Sequence, residues 1–420
     1  MVVKSGRPAL AEPEPDSTSG GTMQIAELPI NPRAVTWNRR VEAVLNRVVR
    51  GKDRVLGRLG LGGRVADYDD EHYQFIGGAN DEMRRKHYDK SLRLLWKAEA
   101  AAPWSTFHDL GAAEQALREM ADLATSPAEQ QVRARLTSAE FKAELDRHYT
   151  PRQKQAIVNV LSAIGHGEAY AWLVSASNLR DVRSSGAKAA VTMQVLEEAK
   201  HFVVMRELVG AFGVPVPRQS AWEYLLLEGV LAADGLEKFY GMNVLVETIA
   251  LSIFGALAHL PGLEILRLFH LDESRHTALP MNYLKEFPLT QRQQRGFFAR
   301  RRRLRMALPT LPLILLLEED LAILGIDAFE FAGSVLRKVA HLSERAGFYL
   351  PRPAPEMLAR FNGLFNLYCR LTRPGHLPRD FMDAETSKDR VVARTEREIF
   401  ASEVVVEAGP RPPRTSPATV

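Results

Sequence analysis

Apolar residues recur at spacings of three and four along most of the chain, with almost no alternating strand pattern, so the sequence predicts a nearly all-helical protein. The periodicity sharpens at Thr150. TPRQKQAIVNVLSAIGHGEAYAWLVSASN opens with Thr-Pro, an N-cap and a favoured first helical residue, and predicts a helix to about Asn178. A turn near Asp181 to Ser185 leads into SSGAKAAVTMQVLEEAKHFVVMRELVGAFG, whose serines suit an N-cap and whose end is marked by Gly-Val-Pro. A shorter helix around Trp222 to Ala232 precedes a third long helix over about Leu236 to Leu260, which Pro261-Gly262 stops. The fourth, GLEILRLFHLDESRHTALPMNYLKEF, runs to about Phe287 with Pro280 as a candidate kink. Two antiparallel helix hairpins in succession are the sequence form of a four-helix bundle.

The remaining chain divides around that core. Residues 1–22 are rich in Pro, Gly, Ser and charge and are expected to be disordered, as is the tail 401–420. Residues 23–149 predict an N-terminal helical region and 291–400 additional C-terminal packing helices, flanking the core at 150–290. No window of about 18 apolar residues predicts a membrane-spanning helix, and no signal-peptide apolar region is seen.

Composition narrows the chemistry. With 55 Lys and Arg against 51 Asp and Glu, the net charge of +4 is too balanced to imply a nucleic-acid surface. Cys369 is the one cysteine, which excludes an internal disulfide and any cysteine metal cluster and fits a reducing, cytoplasmic location. His72 and His87 stand beside acids, but their spacing suits no common ligand pair and they read as surface residues.

Several acids fall instead in apolar surroundings: Glu168 in GHGEAYAWL, Glu198 with His201 in VLEEAKHFV, Glu247 in NVLVETIALSIF, and Glu273 with His276 in LFHLDESRH. A lone carboxylate inside an apolar helix, as at Glu247, costs several kcal/mol unless it is paired or binds metal. Counted from the turn near 182, Glu168 and Glu198 sit at similar heights, some 20 Å up their hairpin at about 1.5 Å per residue. Glu247 and Glu273 are level to within about one turn in the second hairpin. Each E-x-x-H puts Glu and His on one helical face. Single pairs of this kind are common on solvated helices, but the order E, ExxH, E, ExxH on four apolar helices is the ligand pattern of two divalent ions in a carboxylate bundle.

These residues resemble the ferritin-like di-iron carboxylate superfamily, which includes the ribonucleotide reductase small subunit, multicomponent monooxygenases, acyl-carrier desaturases and aminobenzoate N-oxygenases. The likeness covers about residues 150 to 290, and DESRH is its most specific piece. It implies a ferritin-like bundle in which Glu168, Glu198, His201, Glu247, Glu273 and His276 bind two iron ions, or one manganese and one iron, with O2 as co-substrate. It further implies that Glu197 and Asp272 accept hydrogen bonds from the ligand histidines of the opposite hairpin, with Arg275 balancing the charge and Lys200 either doing the same or standing as a solvated base. Where the reductase subunit carries its radical tyrosine, this chain has Met205. Where the N-oxygenases carry an extra histidine, it has Phe269, with His270 next to it as a third histidine ligand, a residue supporting the ligands from behind, or a packed residue.

The resemblance implies an O2-dependent oxidoreductase acting on a small hydrophobic or aromatic substrate, free or on an acyl or peptidyl carrier. The alternative is a ferroxidase, metal-handling protein or ligand-binding oxidase that turns over no organic substrate. Gly165 and Gly167 flank Glu168, and Trp172, Phe202, Met205, Val244 and Leu251 lie a turn from ligands, as pocket wall or as core. Without a nucleotide-binding Gly-rich loop, electrons are expected from a partner reductase or ferredoxin. A homodimer is expected. The arginines of QRQQRGFFARRRRLR, Arg292, Arg295, Arg300 to Arg303 and Arg305, form either a solvated helix or a docking surface for an acidic carrier, an electron donor or an anionic lipid surface.

Overall fold

Thr150 opens the core by the local chemistry its sequence suggests. Its backbone N–H donates to the Gln153 side chain at 3.0 Å, Gln153 N–H donates to the Thr150 hydroxyl at 3.3 Å, and Pro151 takes the first helical position. Ser184 caps the next long helix by accepting from Ala187 N–H at 3.1 Å. Ser220 and Glu223 form a second capping box. The computed structural model describes residues 25–59, 115, 134–182, 184–283 and 291–383. The expectations for 1–22, for His72 and His87, and for 401–420 lie outside the described residues.

All described elements are helical: α1 Pro32–Arg58, α2 Ala139–His148, α3 Pro151–Asn178, α4 Ser185–Ala211, α5 Ala221–Leu231, α6 Gly235–Leu257, α7 Leu266–Tyr283, α8 Gln291–Arg295, α9 Phe297–Ala307, α10 Thr310–Leu316, α11 Glu318–Ile323, α12 Ala328–Ala346 and α13 Ala354–Thr372. The protein is all-α, and no strand occurs among the described residues. Helices α3 with α4, and α6 with α7, make the most extensive pairings, and α4 meets α7 while α3 meets α6 across the bundle.

Helix α6 is the central element. It is long and apolar enough to cross a bilayer by length and composition, but it is buried on nearly every side by the other helices, so it is a core helix here. The uniform α-helix expected from the sequence is interrupted: Tyr240–Val246 is wound as π-helix, and normal winding resumes at Glu247. The wider turns change which side chains after them face the bundle axis, and such segments recur at functional sites. Gly262 takes φ 81° in the turn between α6 and α7, where a Cβ would lie 2.7 Å from the Leu145 side chain, so the turn requires glycine. Tyr149 braces that turn by donating from its hydroxyl to the Pro261 carbonyl at 2.7 Å. Pro280 is accommodated inside α7, which continues to Tyr283.

The outer helices cover one side of this core. Helix α5 packs on α3, α11 on α3, and α12 on α6 and α7, while α1 lies on α5 and α10. Among the described residues, α5, α11 and α12 thus lie directly on the bundle, and α1 lies over α5.

Candidate metal centre

The four long helices bring all six expected ligand side chains to one buried point. Glu168, Glu198, His201 and Glu273 form one tetrad, and Glu198, Glu247, Glu273 and His276 form a second, the ligand atoms of each lying within 4.8 Å of one another. Glu198 and Glu273 belong to both. Each half thus has one private glutamate, one histidine and two shared carboxylates, and the two halves are related by exchanging the hairpins.

Both histidines point Nδ1 into the cluster. His201 Nδ1 lies 3.0 Å from Glu273, 3.6 Å from Glu168 and 3.7 Å from Glu198. His276 Nδ1 lies 3.0 Å from Glu273, 3.1 Å from Glu198 and 3.6 Å from Glu247. Their outward nitrogens are held by the opposite hairpin. His201 Nε2 donates to Asp272 at 3.1 Å, and His276 Nε2 donates to Glu197 at 2.8 Å. Arg275 links the two supporting acids, donating to Glu197 at 2.7 Å and Asp272 at 2.5 Å, and Lys200 donates to Asp272 at 2.7 Å.

The donor set fits a cation. Glu168 Oε1, Glu198 Oε2, Glu273 Oε1 and His201 Nδ1 are buried without a hydrogen-bond partner of adequate geometry, and all four belong to the first tetrad. Buried polar atoms that converge without protein partners are what a hard, oxygen- and nitrogen-loving divalent ion satisfies. Four fully buried carboxylates would otherwise repel one another at a cost of several kcal/mol each.

The cluster's own burial and charges shift its groups in opposite directions. Burial pushes the Glu168 carboxyl well above the ordinary range against the pull of His201. Burial, and then the charges of Glu198 and Glu273, do the same to Glu247. At Glu198 burial is outweighed by His276 and His201, which hold it well below the ordinary range. At Glu273 burial and the Glu198 charge are outweighed by His276, Glu247 and His201, so it too is held down. Burial would lower both imidazoles, but Asp272 with Glu168 pushes His201 well up, and Glu198 with Glu273 does so for His276. The shared carboxylates are therefore shifted towards ionisation and the private ones away from it, and bound cations would displace protons held in the cluster.

Two amides that the sequence reading overlooked join the cluster. Gln194 Nε2 donates to Glu247 at 2.7 Å and to Glu198 at 3.2 Å, and Asn243 Nδ2 donates to the Gln194 side-chain oxygen at 3.0 Å and the His276 carbonyl at 3.1 Å. Each stands four residues before a cluster glutamate, Glu198 or Glu247, which was the available signal. His270 is in neither tetrad. Its Nδ1 faces the Leu251 carbonyl at 3.1 Å, so it is a packed residue.

An apolar cavity, part of it open to solvent, reaches the two private glutamates. Ile164, Gly167, Ala171, Leu226, Leu227, Val246, Ile249, Ala250 and Leu313 line it, with Glu168, Glu247 and Glu223 supplying its polar edge. The residues expected as pocket wall or as core lie elsewhere. Gly165, Trp172, Phe202, Met205, Val244 and Leu251 do not line it. Met205, Val244 and Leu251 are core, and Trp172 is partly exposed beside Phe202, with ring centroids 6.5 Å apart. Proximity to a ligand along a helix did not identify the side of the cluster on which space is left. On the histidine side, Phe269 closes over His201 with ring centroids 4.5 Å apart and packs against Phe254.

In comparisons with known proteins the chain matches no family model, no curated protein and no solved structure. The buried Glu and His cluster on an all-helical fold, able to hold metal and compatible with a di-iron site, stands on its own geometry.

Proposed function

We propose that this protein is a ferritin-like di-iron carboxylate oxidoreductase that uses O2 to oxidise a small hydrophobic or aromatic substrate. The observation that supports this reading is the pair of tetrads sharing Glu198 and Glu273, whose private glutamates, Glu168 and Glu247, form the edge of an apolar cavity. Hard anionic ligands favour the higher oxidation states of iron, and two bound irons supply together the two electrons that O2 takes up in a single encounter.

The chain's residues do the rest. Asp272 and Glu197 fix each imidazole with Nε2 protonated and Nδ1 turned inward, which sets ring orientation and increases basicity. Gln194 holds Glu198 and Glu247 in relative position across two helices. Leu226, Leu227, Ile249 and Leu313 give the space beside Glu168 and Glu247 an apolar lining, so an apolar substrate is bound there by burial and not by charge. Electrons arrive from a reductase or ferredoxin in this reading, and the substrate is free or carrier-bound.

The test couples metal content to O2 uptake. Protein loaded anaerobically with ferrous iron should bind two ions per chain, and its O2 consumption under continuing reduction should rise with an apolar or aromatic substrate. Uptake that stops after the bound iron is oxidised, with every compound offered, would support the metal-handling alternative instead.

A further inference from the structure

Helix α1 carries an amphipathic pattern that the metal centre does not use. Trp37, Val41, Val44, Val48, Val55 and Leu59, at the end of α1, are all exposed, Trp37 at 65% and Leu59 at 63%. At about 100° per residue these positions fall within an arc of about 60°, a continuous stripe along the helix. Arg33, Arg40, Arg47, Arg54 and Arg58 are exposed and form a neighbouring row along one edge of that stripe.

The helix has two acids, and both are turned inward. Glu42 accepts from Ala221 N–H at 2.6 Å, and Asp53 accepts from the Tyr224 hydroxyl at 2.8 Å, both on α5. The outward side therefore carries no acid. That charge distribution argues against self-association: in an antiparallel pair of α1 helices the arginine rows would face one another, and in a parallel pair they would face Asn38, Leu45 and Lys52, with no carboxylate to meet them.

A second helix repeats the chemistry. Phe297 and Phe298 at the start of α9 are 63% and 77% exposed, with Arg300, Arg301, Arg302 and Arg305 following, and no acid occurs between Glu286 and Glu318. Helices α1 and α9 both pack on α5, in the layer over the α3 and α6 side of the bundle.

We infer that α1 lies on an anionic lipid surface, its Trp37 to Leu59 stripe seated at the headgroup and acyl boundary and its arginine row on lipid phosphates, with α9 as a second contact of the same kind. An amphipathic helix with an aromatic and aliphatic stripe flanked by arginines has the form of a helix that lies in the membrane plane. This inference is independent of the metal reading.

The experiment uses the full chain and vesicles of phosphatidylcholine, alone or with about one-third phosphatidylglycerol. Expected are co-sedimentation with the anionic vesicles, release by high salt, and a blue shift of tryptophan emission that Trp37→Phe diminishes. At roughly fivefold per arginine, the Arg40→Ala, Arg47→Ala, Arg54→Ala triple variant should bind on the order of a hundredfold more weakly. Val44→Asp with Val48→Asp should weaken binding at least about tenfold. These positions are exposed, so thermal unfolding should be unchanged, and it serves as the check on folding. Absence of binding to anionic vesicles overturns the inference, as does undiminished binding by the valine variant. A wild-type dimer in sedimentation that the valine variant dissociates, without vesicle binding, would assign the stripe to a second copy and also overturn it.

Discussion

Asp272 on α7 accepts the Nε2 proton of His201 on α4, while Glu197 on α4 accepts that of His276 on α7, so each hairpin orients the histidine of the other. Acceptors of this kind typically contribute about 10- to 100-fold in metal affinity. Asp272→Ala should therefore weaken the ion held by Glu168 and His201 by about that factor, and Glu197→Ala the ion held by Glu247 and His276. Calorimetric titration of metal-free protein resolves the two steps. Equal weakening of both steps by either variant would show that the acids act on the cluster as a whole and not histidine by histidine.

Sharing makes the glutamates unequal. Glu198 and Glu273 belong to both tetrads, whereas Glu168 and Glu247 belong to one each. Glu198→Ala should abolish binding of both ions, and Glu247→Ala should leave close to one ion per chain. Metal analysis after dialysis distinguishes them, and two ions retained by Glu247→Ala would remove Glu247 from the ligand set. Circular dichroism checks folding, since the loss of the Glu247 carboxyl also removes the acceptor of Gln194.

Much of this arrangement was legible because its signals are local. Thr150 with Pro151, and Ser184, mark helix starts through contacts within one turn, and the spacing of three in Glu198-His201 and Glu273-His276 fixes a common face without tertiary knowledge. The π winding of Tyr240–Val246 was not legible, because which carbonyl an N–H chooses there depends on packing against α7, α9 and α12. Gln194 and Asn243 were hidden for another reason: amides on helices usually face water, and only their spacing to Glu198 and Glu247 hinted otherwise. The lining of the cavity was not legible because a helix turn beside a ligand does not say which neighbours crowd it. Leu226 and Leu313, on α5 and α10, come from outside the four-helix core.

Asp320 on α11 offers a pH test away from the cluster. Burial pushes its carboxyl up to about 6, against the hydrogen bond that Asn159 donates at 2.9 Å. The unfolded chain gives up this proton near pH 4, before the folded protein does, so the folded state binds more protons in between. Its contribution is thus fully present below about pH 4 and is lost as pH rises through about 6, by on the order of 2 to 3 kcal/mol. Asp320→Asn keeps an acceptor for Asn159 and removes the ionisation. Urea unfolding should show the variant more stable than the parent at pH 7.5 by on the order of 2 kcal/mol, and nearly equal at pH 4. A parallel offset at both pH values would exclude ionisation of Asp320 as the cause.

Gly167 lies one residue before Glu168 and lines the cavity, and a Cβ built there meets nothing within 4 Å. Two substitutions therefore separate helix energetics from cavity space. Gly167→Ala should stabilise α3 by about 1 kcal/mol, because a mid-helix glycine carries the entropic penalty and here no contact opposes the methyl group. Gly167→Leu should place an isobutyl group in the space beside Glu168 and Glu247 without removing any cluster side chain. Iron content should stay at two ions per chain while substrate-stimulated O2 uptake falls at least about tenfold, since the displaced volume is that of the bound apolar molecule. Loss of iron together with uptake would mean that the leucine had moved Glu168. Full uptake with iron retained would place the substrate elsewhere than the cavity between α3, α5 and α6.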